Sequence, residues 1–244
     1  MHSTHEEFLK TVQELHDIFK SASIDDILDV DYLTSVISKI GLYNEGDRCH
    51  PQNNDVHLYG NDVKYMNSLP NTGMWQIPRQ LAEFLIKLVS LGKVETFLDI
   101  GTCRGATITV VAMFLMRFGL KRIDTIDVFE FLHADLRRKW EELNIPIHCH
   151  LIPQDSHYNL YVELSRYDVI FIDGHHDYKY VSSDFNIAKT MTNKICFHDI
   201  NDYFCVDVVR LWNEIKDSGN YKNMHEFTYH SHDYKLMGIG LLEI

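Results

Sequence analysis

The chain has 244 residues, of which 45% are hydrophobic and 24% charged, and its formal charge is −12. This is ordinary globular composition, with room for one large domain and a small addition. The acidic balance disfavours nucleic acid as a partner, because a phosphate backbone binds to basic surfaces. No stretch approaches the about 18 continuous apolar residues of a membrane span, and the N-terminus does not resemble a signal peptide.

The five cysteines are odd in number and include no CxxC pair. Cys103, Cys149 and Cys196 lie in or beside apolar strand-like runs, where a free thiol behaves as a small hydrophobic group. This usage favours a reducing compartment over a disulfide framework, so we expect the protein in the cytoplasm.

The first 73 residues predict a small helical region followed by a long loop. An apolar stripe predicts a helix over residues 5–20, and a second helix is expected from Ser23, as its cap, to Gly41. Residues 42–74 lose all periodicity and collect Asn, Asp, Gly and Pro, which is typical of a long loop. We expect residues 1–73 to serve as a cap over a substrate pocket or as a dimer contact.

From residue 74 onward, strands and helices alternate after a first helix that begins near Pro78 and ends at Gly92. The predicted strands are Val94–Ile100, Arg122–Val128, Ile147–Ile152, Tyr167–Asp173 and Ile195–His198, and the predicted helices are Ala106–Phe118, Glu130–Leu143, Tyr178–Met191 and Val206–Lys216. Two last strands, Met224–Tyr229 and Lys235–Glu243, are too close for a helical crossover and must form an antiparallel hairpin. Residues 74–244 therefore predict an α/β fold, a Rossmann-like and mostly parallel sheet of seven strands.

A loop with two glycines follows the first of these strands, where open α/β sheets bind their ligands. Gly101 and Gly105 would let the backbone approach a ligand closely, although an ordinary strand-to-helix turn is the alternative. A dinucleotide-binding loop needs a glycine where Cys103 stands. Asp99 would repel a pyrophosphate and favour a ligand that carries ammonium and sulfonium charges. Asp127 ends the next strand, where such folds bind ribose hydroxyls.

A second group of polar residues follows two buried strands, Val169–Ile172 and Ile195–Phe197, whose ends point to the same edge. Asp173 and Asp199, with His198 beside them, could form a site for Mg²⁺, Mn²⁺ or Ca²⁺. Such an ion would lower the pKa of a substrate hydroxyl and orient its oxygen. The alternative is that the two acids only cap the helices that follow them.

The segments FLDIGTCRGAT and DVIFIDGHHDY, with Asp127 between them, resemble the class I S-adenosylmethionine-dependent methyltransferases. The resemblance is greatest to the small-molecule O-methyltransferases related to catechol O-methyltransferase and to the cephalosporin hydroxylase-like and macrolide-sugar methyltransferases. It covers residues 74–244. It implies that S-adenosylmethionine is the cofactor and that a hydroxyl of a small molecule, such as a sugar or a natural-product intermediate, receives the methyl group.

The resemblance also implies roles for single residues. The methionine half of the cofactor would contact Asp99, Gly101 and Gly105, the ribose would contact Asp127, and the adenine would contact Asp155 and Ser156. Asp173, His198 and Asp199 stand at the metal-ligand positions of the metal-dependent relatives. The histidine departs from their pattern of acid and amide, so whether a metal binds, and which, is left open.

His176 lies where catechol-type relatives carry the basic residue that takes the substrate proton, a task that suits a histidine near neutral pH. In a metal-free alternative, His176 or His198 deprotonates the hydroxyl and proximity to the sulfonium does the rest. Two other functions stay open: an NAD(P)-dependent oxidoreductase, and a noncatalytic module that binds S-adenosylmethionine. The expected partner is a small-molecule acceptor, neither nucleic acid nor a membrane is expected, and a homo-oligomer is left open.

Overall fold

The computed structural model describes residues 5–41, 72–152, 166–221, 223–229 and 237–244. Of the loop expected over residues 42–74, the structure describes only residues 72–74. Asp155, Ser156 and the turn expected at His230–Asp233 lie outside the described residues.

The N-terminal region contains one long helix and several short ones. Helix α1 (His5–Ser21) buries an apolar stripe, as predicted. The single helix expected from Ser23 to Gly41 is wrong, because the chain forms α2 (Ile24–Ile27), α3 (Val30–Ile37) and a 3₁₀ turn (Ser38–Ile40). Ser23 caps α2 as expected, but the carboxylate of Asp29 accepts a hydrogen bond from the Tyr32 amide at 2.8 Å and starts a new helix.

The central sheet has seven strands, as the alternation predicted. They are β1 (Thr96–Ile100), β2 (Arg122–Asp127), β3 (Ile147–Leu151), β4 (Val169–Ile172), β5 (Lys194–His198), β6 (Asn223–Phe227) and β7 (Ile239–Glu243). Their order is β3-β2-β1-β4-β5-β7-β6. The first five strands are parallel, and β7 pairs antiparallel with both β5 and β6, which confirms the C-terminal hairpin.

Helices cover both faces of the sheet: α4 (Pro78–Ser90), α5 (Ala106–Met116), α6 (Ala134–Glu142), α7 (Tyr178–Met191) and α8 (Val206–Asp217). The helix expected from Glu130 begins only at Ala134, because the His133 imidazole accepts a hydrogen bond from the Asp135 amide and caps the helix there. The preceding residues are thereby left in a loop that borders the cavity described below. No described helix is long and apolar enough to span a membrane.

The N-terminal region shares a hydrophobic core with the sheet. Phe8, Leu15 and Phe19 of α1 are buried together with Phe114 of α5 and Trp140 of α6. The guanidinium of Arg117 also donates a hydrogen bond to the carbonyl of Ala22 at 2.9 Å. Residues 5–41 are thus packed onto the sheet domain, and their expected roles as a cap or a dimer contact stay predictions.

The strand order reverses between β1 and β4. From β1 the chain continues outward through β2 and β3, and from β4 it continues through β5 on the other side. Ligands of open α/β sheets bind at such a switch point, beyond the carboxyl ends of the strands. The loops that follow Ile100 and Ile172 therefore meet where a ligand is expected.

Candidate active site

A cavity of about 580 Å³ lies at the carboxyl ends of the parallel strands. Its walls come from the loops after β1, β2, β4 and β5, and Trp75 and Met237 complete them. Gly101, Asp127, Asp173, His176, His198 and Asp199 all line it. The structure thus brings the glycine loop and the acid–histidine group, predicted separately, into one site.

The glycine loop forms one wall and is shaped by close packing. Gly101 has a φ of +107°, and a Cβ there would lie 2.0 Å from the carbonyl oxygen of Asp173. Gly105 has a φ of +81°, and a Cβ there would lie 2.6 Å from a methyl carbon of Leu132. Of these two glycines, Gly101 lines the cavity and Gly105 does not, so packing explains Gly105 and its contact with a cofactor stays a prediction.

Asp127 joins two of the loops that border the cavity. One carboxylate oxygen accepts a hydrogen bond from the Cys103 amide at 2.8 Å, and the other accepts one from the Phe129 amide at 3.0 Å. Each oxygen keeps a further lone pair for a ligand hydroxyl. The predicted ribose contact is compatible with this position.

Asp99 lies behind the wall, and its side chain is not among the described groups that line the cavity. It is buried and accepts a hydrogen bond from the Thr125 hydroxyl at 2.6 Å. Burial raises the pKa of Asp99, the hydrogen bond from Thr125 opposes the rise, and with the charges of Asp173 and Asp127 the net value is about 7. From behind the wall, Asp99 can act on a ligand through its charge when it is ionised, whereas the predicted direct contact stays untested.

The acid–histidine group centres on His198. Its Nδ1 atom lies 3.1 Å from Oδ1 of Asp173 and 3.1 Å from Oδ1 of Asp199. The outer oxygens have other partners: Oδ2 of Asp173 accepts a hydrogen bond from Gln76 at 2.7 Å, and Oδ2 of Asp199 lies 3.1 Å from Nε2 of His176. Two carboxylate oxygens and one imidazole nitrogen thus converge, and Gln76 and His176 orient the two carboxylates from outside.

The alternative in which the two acids cap the next helices is wrong. Asp177 is the N-terminal cap of α7, and Cys205 is that of α8. Asp173 and Asp199 therefore do not cap these helices. Asp199 also has a φ of +61°, a costly conformation for a residue with a Cβ, and such strain is concentrated at functional sites.

The electrostatics of the two histidines follow from these contacts. Burial lowers the pKa of His198, but the attraction of Asp173 and Asp199 outweighs it and holds this pKa well above the usual value. The contact with Asp199 raises the pKa of His176, although partial burial opposes the rise. Burial raises the pKa of Asp199, and the attraction of His198 and the contact with His176 reverse the effect and lower it.

The converging donors suit a divalent cation. The ligand atoms of Asp173, His198 and Asp199 lie within 4.8 Å of one another. Two carboxylates and an imidazole form a ligand set used by Mn²⁺, Fe²⁺, Co²⁺ or Zn²⁺, and Mg²⁺ prefers oxygen alone. Ordered outer partners such as Gln76 and His176 are usual around metal ligands.

Two residues of the site were given no role from the sequence. Gln76 is buried beside Asp173, and its amide oxygen accepts a hydrogen bond from the Thr107 hydroxyl. Asp202 accepts hydrogen bonds from the amides of Phe204 and Met237, at 2.7 and 2.8 Å, and so fixes the loop after β5. In the sequence, Gln76 stands out only as a polar residue between Trp75 and Pro78, the first residue of α4.

Comparison with known proteins agrees with this geometry. Residues 98–203 match the sequence model of a family described as a methyltransferase domain. The matched segment contains the five parallel strands from Leu98 of β1 onward and every described residue of the predicted site. A search of curated proteins found no match.

Solved structures of several methyltransferases share the fold. An O-methyltransferase from Bacillus cereus, in complex with S-adenosylhomocysteine, is 16% identical, covers 98% of this chain and 99% of its own, and has a TM-score of 0.53. The O-methyltransferase TomG from Streptomyces achromogenes, involved in tomaymycin synthesis and in complex with S-adenosylmethionine, is also 16% identical, covers 69% of this chain and 80% of its own, and has a TM-score of 0.53. An rRNA methylase from Streptococcus thermophilus is 11% identical, covers 69% of this chain and 98% of its own, and has a TM-score of 0.52.

Identities this low establish the fold and leave the acceptor undetermined, since these neighbours act on different molecules. The sequence match and the fold together define the class of protein. Residues 98–203 match the model of a methyltransferase domain, and the chain has the fold of the class I S-adenosylmethionine-dependent methyltransferases, as the motifs predicted.

Proposed function

We propose that this protein transfers a methyl group from S-adenosylmethionine to a hydroxyl of a small molecule. The observation that carries the proposal is that a single cavity joins the Gly101 loop to the contact between His176 and Asp199. A place for a methyl donor and a basic group able to activate an acceptor are thus side by side.

The charge around the loop supports a cationic donor. Asp99, Asp127 and Asp173 lie close enough for the last two to raise the pKa of the first. A sulfonium ligand relieves the repulsion among these acids, whereas a pyrophosphate would add to it. The neighbours from Bacillus cereus and Streptomyces achromogenes, bound to S-adenosylhomocysteine and S-adenosylmethionine, support the same cofactor.

The walls beside Asp127 suit the rest of the cofactor. Val128 and Phe129 follow it along the cavity and offer apolar surface to an adenine ring. In this arrangement Asp127 holds the ribose. The predicted adenine contacts of Asp155 and Ser156 remain proposals.

Asp173, His198 and Asp199 would hold a divalent cation. When bound, such an ion supplies Lewis acidity that lowers the pKa of the acceptor hydroxyl and fixes its orientation. Gln76 and His176 would keep the two carboxylates turned toward it. Without the cation, the same carboxylates orient the histidines for the metal-free alternative.

His176 is the proposed general base. Its Nε2 atom faces Asp199, so a proton there leaves Nδ1 free to take the proton of the acceptor hydroxyl. The hydroxyl oxygen then forms a bond to the methyl carbon as the carbon–sulfur bond breaks. The electron pair of that bond stays on sulfur, and the positive charge of the sulfonium is lost.

The remaining walls indicate a small acceptor with an apolar part. Phe131, Tyr180 and Phe204 also line the cavity, and aromatic walls bind flat or apolar groups. The formal charge of −12 disfavours RNA as the acceptor. The four described cysteines are free, in keeping with the cytoplasmic location that we propose.

The test uses the full chain with methyl-labelled S-adenosylmethionine and a panel of phenols, vicinal diols and sugars, with and without Mg²⁺ or Mn²⁺. For an acceptor that is methylated, we expect His176→Gln to lower kcat about 100-fold or more, since general bases contribute that much. The Kd of S-adenosylmethionine should change little. His148→Gln, an exposed histidine of β3, is the matched control.

An unchanged kcat in His176→Gln would remove this residue from the mechanism. Calorimetric titration with S-adenosylmethionine and with NAD⁺ separates the proposal from an oxidoreductase. A crystal soaked with S-adenosylhomocysteine and Mn²⁺ should show density beside Gly101 and between Asp173 and Asp199.

A further inference from the structure

A thiol lies beside His176 and Asp199 of the acid–histidine group. Cys205, the N-terminal cap of α8, lines the cavity. Its sulfur, an imidazole nitrogen of His176 and a carboxylate oxygen of Asp199 lie within 4.8 Å of one another. These three residues, here called the thiol set, differ from the set of Asp173, His198 and Asp199 in two of their three members.

Asp199 belongs to both sets but offers each a different oxygen. Its Oδ1 atom faces His198 at 3.1 Å, and its Oδ2 atom faces His176 at 3.1 Å. A cation among the thiol set would therefore take Oδ2 and leave Oδ1 to the first set. The two sets are therefore adjacent and share Asp199 through different oxygens.

The donor atoms of the thiol set favour a softer cation. Sulfur, imidazole nitrogen and one carboxylate oxygen are ligands that Zn²⁺ and Co²⁺ prefer, while Mg²⁺ and Ca²⁺ prefer oxygen alone. The surroundings are acidic: burial raises the pKa of the Cys205 thiol, and Asp199 and Asp202 raise it further. A thiol that stays protonated by itself loses its proton to a bound transition metal.

We propose that His176, Asp199 and Cys205 form a second cation site, selective for a soft divalent transition metal such as Zn²⁺, beside the first set. An ion held there binds the imidazole of His176 and keeps it from taking a proton. Zn²⁺ would then inhibit the enzyme while a harder cation supports it. This regulatory part rests on the proposed function, whereas the cation site itself does not.

The test of the site is titration of the full chain with Co²⁺, read by the thiolate-to-cobalt charge-transfer absorption in the near ultraviolet. We expect the band in the wild-type protein, in Cys149→Ser and in Asp173→Asn, and its loss in Cys205→Ser. His176→Gln should weaken Co²⁺ binding at least about tenfold. Serine is a favoured N-terminal cap, so Cys205→Ser should fold, which circular dichroism checks.

A band that survives Cys205→Ser, or no band in the wild type, would overturn the site. A band lost in Asp173→Asn would mean that the two sets are a single site. In the second part of the test, methyl transfer is measured with and without Zn²⁺ in the wild type and in Cys205→Ser. The factor by which Zn²⁺ lowers the rate should be at least tenfold larger in the wild type than in the variant. If no acceptor is methylated, the proposed function fails while the Co²⁺ result still decides the site.

Discussion

The main chains of Gly101 and Asp173 are in direct contact. A Cβ on Gly101 would lie 2.0 Å from the carbonyl oxygen of Asp173 and 2.6 Å from its carbonyl carbon. The amide of Asp173 also donates a hydrogen bond to the carbonyl of Ile100 at 2.8 Å. The glycine loop and the acid–histidine group are therefore held together by backbone, and a shift in one moves the other.

Gly101→Ala should damage both halves of the site. Its positive φ costs an alanine about 1–3 kcal/mol, and the clash with Asp173 adds a cost of about the same size. We expect the free energy of unfolding to fall by about 2–5 kcal/mol in urea denaturation. Gly92→Ala is the control, because Gly92 also has a positive φ but nothing within 4 Å of its added Cβ. Equal losses in the two variants would show that the contact with Asp173 is unimportant.

Asp99→Asn should change how stability depends on pH. Asp99 has a pKa of about 7 in the folded protein against an ordinary value of 3.8, so the folded state binds its proton more tightly than the unfolded state. The contribution of Asp99 to stability therefore falls as pH rises from about 4 to about 7. Asparagine keeps an acceptor for the Thr125 hydroxyl and has no proton to lose.

The measurement for Asp99→Asn is urea denaturation across this pH range. The variant should gain stability over the wild type as pH rises, by up to about 4 kcal/mol. Asp25→Asn, at an exposed position of α2, should give no such trend. A difference that is constant with pH would mean that Asp99 does not titrate as its burial implies.

The sequence was enough for the fold because periodicity reports burial on each strand and helix. It also predicted that Asp173, His198 and Asp199 would share one edge of the sheet, since the carboxyl ends of parallel strands meet there, and the structure brings the three side chains together. Gln76 escaped detection because it precedes Asp173 by 97 residues and no local pattern marks their contact. The break in the helix expected from Ser23 to Gly41 was not predicted, because an aspartate such as Asp29 can either lie within a helix or cap the start of a new one.

Gln76→Ala should weaken the first cation set without unfolding the protein. Asp173 loses the hydrogen bond that orients its Oδ2, and loss of such an outer partner costs about 10–100-fold in metal affinity. The readout is the Kd of Mn²⁺ by calorimetry, together with kcat if an acceptor is known. Gln13→Ala, on the exposed face of α1, is the matched control. Mn²⁺ affinity unchanged in Gln76→Ala would show that Asp173 needs no such support.

Gln80 holds the C-terminal strands to α4, and Gln80→Met tests that link. The fully buried amide accepts a hydrogen bond from the Gly238 amide at 3.0 Å and donates one to the carbonyl of Tyr229 at 2.7 Å. Methionine has a similar shape but leaves both backbone groups without this partner, at a cost of about 1–3 kcal/mol each.

The loss in Gln80→Met should extend to the loop that carries Asp199, because the carbonyl of Met237 accepts a hydrogen bond from the Asn201 amide at 2.9 Å. We expect the free energy of unfolding to fall by about 2–5 kcal/mol, and amide hydrogen exchange of Gly238 and Asn201 to become faster. Gln13→Met should leave both quantities unchanged, as the Gln13 side chain donates its hydrogen bonds to Asp17 on the surface of α1, far from this link in sequence. Faster exchange at Gly238 alone would mean that the hairpin and the Asp199 loop open independently, since the hydrogen bond to Asn201 would then survive the loss of Gln80.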